Sequence, residues 1–303
     1  MNVERSESSE SSESSEASNA PPVHDLRGER LAEARDAAAR RRPAQLLAQW
    51  ADDGLVAPSP VDLRASVALD ALALAAAPDH DALLLSPVAP LGATSVLGPT
   101  SQDRVLSTIR PVEVVSDPTN VLALEAARRL RAATDDVVRL CTVHQTLRMQ
   151  PAPAGRGRTR HFRMFALADA GRARADDGFE VDAVLGQLAA FRRLLDAAAA
   201  AGFGAGVGAR AIVRADAGRT VLGDRVAAAI AAEWAEVDVV REELVNAYYG
   251  GLRVGYGVHG RDGAFVELVD LGCFDWVAQL TADRRNRFVA GAIGIQLLPL
   301  LFA

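Results

Sequence analysis

Leu147-Arg148-Met149-Gln150, Gly155-Arg156-Gly157-Arg158-Thr159-Arg160 and His161-Phe162-Arg163-Met164-Phe165 together form the stretch on which the reading of this chain turns. Residues Val137 to Leu147 and Phe162 to Ala168 are rich in β-branched and aromatic side chains and read as two strands. They flank a loop, Pro151 to Arg160, that carries three arginines and two glycines. An arginine closing one antiparallel strand, a basic loop and an aromatic on the return strand make a clamp for an anionic, planar ligand. A guanidinium forks onto phosphate or carboxylate, and a phenyl ring covers a planar face. Taken alone, the stretch reads more simply as a solvated basic hairpin, so its neighbours decide.

Working outward, the pattern is helical from Leu26 to about Ala77. Leu31, Ala34 and Ala38, then Leu46, Leu47 and Trp50, recur at helical spacing, with Pro43 breaking the run. Leu63, Val67, Leu69, Leu72 and Leu74 line a longer helix that stops before Pro78. Ala82 to Ser86 reads as a short buried strand and Val105 to Val115 as an extended pair. Val121 to Arg131 is helical, with Asp117, Thr119 and Asn120 as capping candidates. Beyond the basic loop, 181–201 and 225–234 read as helices and 211–215 as a strand. Leu252 to Val258 and Ala264 to Asp270 form a hairpin around Gly260-Arg261-Asp262-Gly263, and a last strand and helix close the chain. Hairpins with helices between them predict an α+β fold whose sheet is mainly antiparallel and flanked by helices, with a helical N-terminal region. A doubly wound parallel sheet is the alternative, and the hairpins argue against it. The expected organisation is a disordered Ser/Glu-rich tail over 1–22, a helical region over 23–80 that packs on the core, and the core over 81–303.

Composition narrows the chemistry. All 33 basic residues are arginine, which excludes mechanisms needing an ε-amino group, including Schiff-base chemistry and a Walker A loop. With 39 carboxylates and a formal charge of −6, broad coating of nucleic acid is not expected. Two cysteines, Cys141 and Cys273, are too few for a disulfide framework, so a cytoplasmic location is the expectation. The N-terminus lacks the basic-then-apolar order of a secretory signal. The apolar run Phe288 to Ala303 contains Pro299 and reads as buried strand and helix, so no membrane association is expected.

Three other motifs carry nothing. Gly204-Ala205-Gly206-Val207-Gly208-Ala209 matches a dinucleotide fingerprint, but it lies between a helix and a strand, the reverse of the order that chemistry needs. Cys141 and His144 have metal-ligand spacing, yet residues three apart on a strand face opposite sides. His161 and His259 read as ordinary polar residues, and no metal site is expected. No serine sits in a G-x-S-x-G elbow.

The order of the remaining motifs resembles the class II aminoacyl-tRNA synthetases, a class II synthetase/biotin ligase-like core, nearest the histidyl-tRNA synthetase branch. The quoted stretch is similar to motif 2, whose arginine, at Arg148, holds the α-phosphate of ATP. The helix ending at Ala77 with the strand into Pro87 resembles motif 1, the dimer-forming element. Ser116-Asp117-Pro118-Thr119 looks like the substrate-amine loop, and Ala247-Tyr248-Tyr249-Gly250-Gly251 like the tyrosine pair. Leu271-Gly272-Cys273-Phe274-Asp275 looks like the Gly-Gly-Arg-Tyr-Asp turn, and Gly291 to Leu298 like motif 3. The resemblance covers about residues 60 to 303.

The departures are specific. Gln150 stands where motif 2 has an acidic residue, and Leu297 falls at about the place of the motif 3 arginine. Leu244 and Cys273 take two further arginine positions. Each lost charged contact to phosphate costs roughly 1.5–3 kcal/mol, so tRNA charging is not expected. The resemblance leads to the expectation that the anticodon-binding domain of that branch is lacking, a pattern similar to the regulatory subunit of ATP phosphoribosyltransferase. The resemblance implies a homodimer formed through residues 60–90 and a cleft for a small amino-acid-like or nucleotide ligand, with ATP and magnesium as the cofactor to test. It leaves a catalytic-subunit partner, or adenylation of a small carboxylate, as alternatives. Whether the chain is an enzyme stays open. The expected ligand contacts are Arg148, Gln150, Arg156, Arg158, Arg160, Phe162, Asp117, Thr119, Tyr248, Tyr249 and Asp275.

Overall fold

The computed structural model describes residues 23–132, 137–151, 159–204, 206–260 and 263–302. The Ser/Glu-rich tail, Arg156, Arg158 and the hairpin residues Arg261 and Asp262 lie outside them. The chain divides into two compact units, residues 1–42 and 43–303. In the first, α1 spans Val23–Ala39.

The second unit opens with α2 (Pro43–Asp52) and α3 (Leu63–Ala76). Asp62 starts α3 by accepting the Arg64 and Ala65 N–H groups at 2.8 and 3.4 Å. The buried residues Leu69, Ala73 and Ala76 share one face of α3 and join the core, while Leu63 and Val67 on the other side are exposed. Then follow β1 (Asp81–Ala82), β2 (Val88–Pro90), α4 (Ala93–Leu97), β3 (Val112–Val114), α5 (Pro118–Ala132), β4 (Val137–Leu147) and β5 (His161–Arg172). The remainder is α6 (Gly178–Ala200), β6 (Val207–Ala215), α7 (Thr220–Glu233), β7 (Asp238–Glu243), β8 (Leu252–His259), β9 (Phe265–Phe274), α8 (Trp276–Thr281), β10 (Asn286–Gly294) and α9 (Leu297–Leu301).

The main sheet has eight strands in the order β1-β4-β5-β10-β9-β8-β6-β7. Only β1 with β4 and β6 with β7 run parallel. The fold class is therefore the expected α+β with a mainly antiparallel sheet, and the doubly wound alternative falls away.

Strand alternation divides the core into two layers. On β4 and β5, Cys141, Phe165 and Leu167 face α3 and α6, where Val184, Leu188 and Phe191 recur at i, i+4 and i+7. Leu140, Met164, Ala166, Ala168 and Ala170 face the opposite side, where α5 packs on β4, β5 and β10 and α8 packs on β10. The β9-β8-β6-β7 half of that second face instead carries Arg210, Arg214, Arg253, Glu267 and Asp270. A cleft opens where the helix-covered half meets this charged half.

Three local expectations change. The strand placed at 82–86 is only Asp81–Ala82, exposed rather than buried. The Leu83 N–H still reaches the Cys141 carbonyl at 2.8 Å, but Leu84 then points into solvent at 98% exposure. The extended pair at 105–115 lies off the main sheet. There β3 pairs with β2 and folds back on Ser107 through a single bridge. Strand β7 carries no apolar alternation, so nothing local announced it. It is held by its parallel ladder to β6 and by the Arg210–Asp238 and Arg214–Glu242 pairs, at 2.6 and 2.7 Å.

Candidate functional site

A cavity of about 490 Å³ lies over the junction of β5, β10 and β9. Its floor is made of small or apolar side chains: Met164 on β5, Ala290, Gly291 and Ala292 on β10, and Leu268 on β9. The walls are polar and come from the ends of β4 and β5, the turn before α5, and the tyrosine pair before β8.

Arg148 follows β4 directly, and its side chain is half-buried. The guanidinium lies over the Phe162 ring, with Cζ 5.1 Å from the centroid. Its Nε donates to the Ser116 carbonyl at 3.2 Å and Nη2 reaches the Met164 sulfur at 3.9 Å. It forms no ion pair among the described residues, and it keeps N–H donors free beside the cavity. Gln150 also lines the cavity, and its buried Oε1 has no hydrogen-bond partner among the described residues.

Two further arginines share the wall. The Arg148 N–H donates to the Arg160 carbonyl at 2.7 Å, and the next N–H, of Met149, donates to the Arg104 carbonyl at 3.1 Å. Arg104 and Arg160 both line the cavity, and neither forms an ion pair among the described residues. Arg104 follows a short 3-10 turn, Gln102–Arg104, that is anchored by a buried carboxylate. Glu113 accepts from Gln102 Nε2, the Gly92 N–H, the Thr94 N–H and the Thr94 hydroxyl, at 2.8 to 3.0 Å. Burial works to raise the Glu113 pKa, but these donors outweigh it and hold the carboxyl below its ordinary value.

The acidic and phenolic groups line the same cavity. Asp117 Oδ1 accepts from the Thr119 N–H and hydroxyl at 3.0 and 2.7 Å, a capping arrangement at the start of α5. The Tyr248 hydroxyl donates to Asp117 Oδ2 at 3.5 Å, and its ring packs edge-on against Phe274 and Trp276, both 5.6 Å away. The Tyr249 hydroxyl donates to Asp270 Oδ2 at 2.6 Å, while Arg253 Nε holds Oδ1 at 2.9 Å. Tyr249 lies against the β9 backbone at Gly272, where a Cβ would come within 2.5 Å of its ring. Burial first, then the neighbouring carboxylates, push both phenols up, so they act as neutral donors.

Arg148, Gln150, Arg160, Phe162, Asp117, Thr119, Tyr248 and Tyr249 thus line one cavity. Asp275 does not join them. It sits before α8 in a second cavity of about 540 Å³, with Glu180, Arg219, Cys273 and Arg287. Sequence reasoning missed Arg104, Asp270 and Gln296, which also line the cleft. Asp270 stands two residues from Leu268 on one strand, a spacing that places both on one face; Arg104 has no such local signal. Of the substituted family positions, Gln150 and Leu297 line the cleft. Leu244 and Cys273 are buried away from it, and burial pushes the Cys273 thiol up to about 12. Cys141 and His144 face different layers. No group of three or more His, Cys, Asp or Glu arranged for a metal ion occurs among the described residues.

No protein-family model matches the sequence, and no curated protein matches it. Solved structures do. The chain is similar to an ATP phosphoribosyltransferase regulatory subunit/histidyl-tRNA synthetase from Bacillus halodurans, with a TM-score of 0.58 at 10% identity over 80% of this chain and 82% of that one. It is also similar to histidyl-tRNA synthetase from S. aureus, with a TM-score of 0.57 at 13% identity over 81% of this chain and 68% of that one. A putative threonyl-tRNA synthetase from Aeropyrum pernix matches with a TM-score of 0.58 at 14% identity, over 76% and 57% of the two chains. The fold is class II synthetase-like. At these identities the likeness is one of fold, and function rests on the cleft itself.

The cleft tests the nucleotide expectation in two parts. Arg148 over Phe162, two further arginines without ion pairs among the described residues, and a small-residue floor suit the phosphates and base of a nucleotide. The magnesium part finds no such support, because the cleft carboxylates Asp117 and Asp270 are already committed to protein donors.

Proposed function

We propose that this protein binds a small anionic ligand, amino-acid-like or a nucleotide, in the cleft beside Arg148, and that it does not charge tRNA. The observation that carries this reading is the state of Arg148. A half-buried guanidinium with free donors and no carboxylate partner among the described residues is costly to hold unless an anion completes it. Asp117, Thr119 and Tyr248 line the same cleft and suit a ligand amine or hydroxyl. Leu297 gives that end of the cleft an apolar wall where the family places a phosphate-binding arginine, which is the reason for excluding charging. An adenylating ligase would need that lost contact replaced.

The second reading is a regulatory subunit that senses the ligand and acts on a catalytic partner. It is favoured by the fold likeness to the Bacillus halodurans regulatory subunit/synthetase. A homodimer through residues 60–90 is part of both readings, supported by the exposed Leu63, Val67 and Leu84, at 75, 57 and 98%. Among the described residues no helix is long and apolar enough to cross a membrane. The acidic balance fits a small-molecule ligand better than nucleic acid.

The test is a thermal-shift panel of ATP, other nucleotides, pyrophosphate and the amino acids. An anionic compound should stabilise the protein, and Arg148→Ala should lose that response. Pyrophosphate exchange with any amino acid would instead establish adenylation. No stabilisation by any anionic compound would overturn the reading.

A further inference from the structure

Resting on that reading, we propose that Arg104 is a specificity-determining residue that makes the cleft a site for a ligand with two adjacent anionic groups, of the diphosphate class. Arg104 lies outside every motif that carries the resemblance, on the turn between β2 and β3. Its carbonyl accepts the Met149 N–H, and the Arg160 carbonyl accepts the N–H of the preceding residue, Arg148. Two hydrogen bonds from consecutive residues therefore seat the Arg160 and Arg104 backbones each against the backbone at 148–149. All three line the same cavity, and none has an ion pair among the described residues. The half-buried Asp53 carboxyl is held below its ordinary value by hydrogen bonds from Gln49 and the Leu55 N–H, with Arg160 adding the least.

Three arginines outnumber the carboxylates that line the cavity. Asp270 is balanced by Arg253, while Asp117, hydrogen-bonded by Thr119 and Tyr248, keeps its charge. One anion takes a single fork of donors; two linked anions can engage two of the arginines that line the cavity, with Arg148 on one and Arg104 on the next. The turn bearing Arg104 is fixed rather than loose, because Gln102 ties it to the buried Glu113. The position at Leu297 offers no cation, so in this chain the second cation of the cleft comes from the Arg104 wall.

Titration calorimetry of the full chain with inorganic phosphate and with pyrophosphate, at matched ionic strength in sodium chloride, tests this. Wild type should bind pyrophosphate at least tenfold more tightly than phosphate. Arg104→Gln should bring the two within about twofold by weakening pyrophosphate roughly tenfold while leaving phosphate unchanged. Because the exposed Arg104 contributes only its backbone N–H and carbonyl to hydrogen bonds among the described residues, this variant should melt as wild type does. Arg148→Gln should weaken both anions. A wild-type preference for pyrophosphate retained in Arg104→Gln would overturn the role of Arg104 and leave the Arg148 reading standing. If neither anion bound wild type, both would fall.

Discussion

Two sets of arginines share one face of the sheet and behave oppositely. Over β6 to β9, each guanidinium meets a carboxylate. Arg210 pairs with Asp238, Arg214 with Glu242 and Glu267, and Arg253 with Glu267 and Asp270. At the cleft, Arg104, Arg148 and Arg160 have backbone partners and no carboxylates among the described residues. Residue type is the same in both places, so the difference lies in what the fold brings alongside. The paired set closes the open half of the sheet, and the Glu267 carboxylate has room there because Gly255 on β8 has no Cβ, which would stand 2.4 Å from it. The unpaired set is stabilised from behind, through backbone carbonyls and the buried Glu113, and leaves its charge for something else.

Breaking the paired set should cost stability. Glu267→Ala removes a carboxylate from both Arg253 and Arg214, which are mostly buried, and should lower the unfolding free energy by about 2 kcal/mol in urea melts. The response to anionic ligands should not change. A loss of ligand binding with unaltered stability would erase the distinction between the two sets.

A smaller, pH-dependent effect should come from the support behind the cleft. The Glu113 pKa is lower folded than unfolded, so its contribution is present above the unfolded value near 4.5 and is lost as pH falls through the folded value. Glu113→Gln should therefore destabilise by about 1 kcal/mol at pH 7, with the gap to wild type closing below about pH 4. Chemical melts across that range give the comparison; a gap that widens in acid would contradict it. The weakest signal is chemical. Burial raises Cys141 to about 11 and Cys273 to about 12, so neither thiol should react with iodoacetamide at pH 8 until the protein unfolds.

The sequence made the hairpins readable and hid what lies between them. The β4–β5 and β8–β9 pairs carry their own signals, alternation and turn residues, so the sheet type and the position of Arg148 at a strand end could be read locally. The edge strand β7 could not, because most of its residues are charged and exposed, and it is held by its ladder and ion pairs to β6 with only Val239 reaching the core. The same division holds at the site. Arg148, Phe162 and the tyrosine pair were legible as ordered motifs. Arg104 was not, since its place beside Met149 depends on a hydrogen bond spanning the β3–α5–β4 excursion. Asp275 went the other way. It follows directly on the β9 strand end, yet the strand turns there toward α8 and carries it into the second cavity.

The central claim is that Arg148 serves a ligand and not the fold. Thermal melts of wild type and Arg148→Ala, each with and without pyrophosphate at about a hundred times its dissociation constant for wild type, test it most directly. Wild type should gain about 2.7 kcal/mol, while Arg148→Ala should melt within about 0.5 kcal/mol of wild type without ligand and gain nothing from pyrophosphate. An Arg148→Ala protein that is strongly destabilised without ligand, or that gains as much as wild type, would contradict the account.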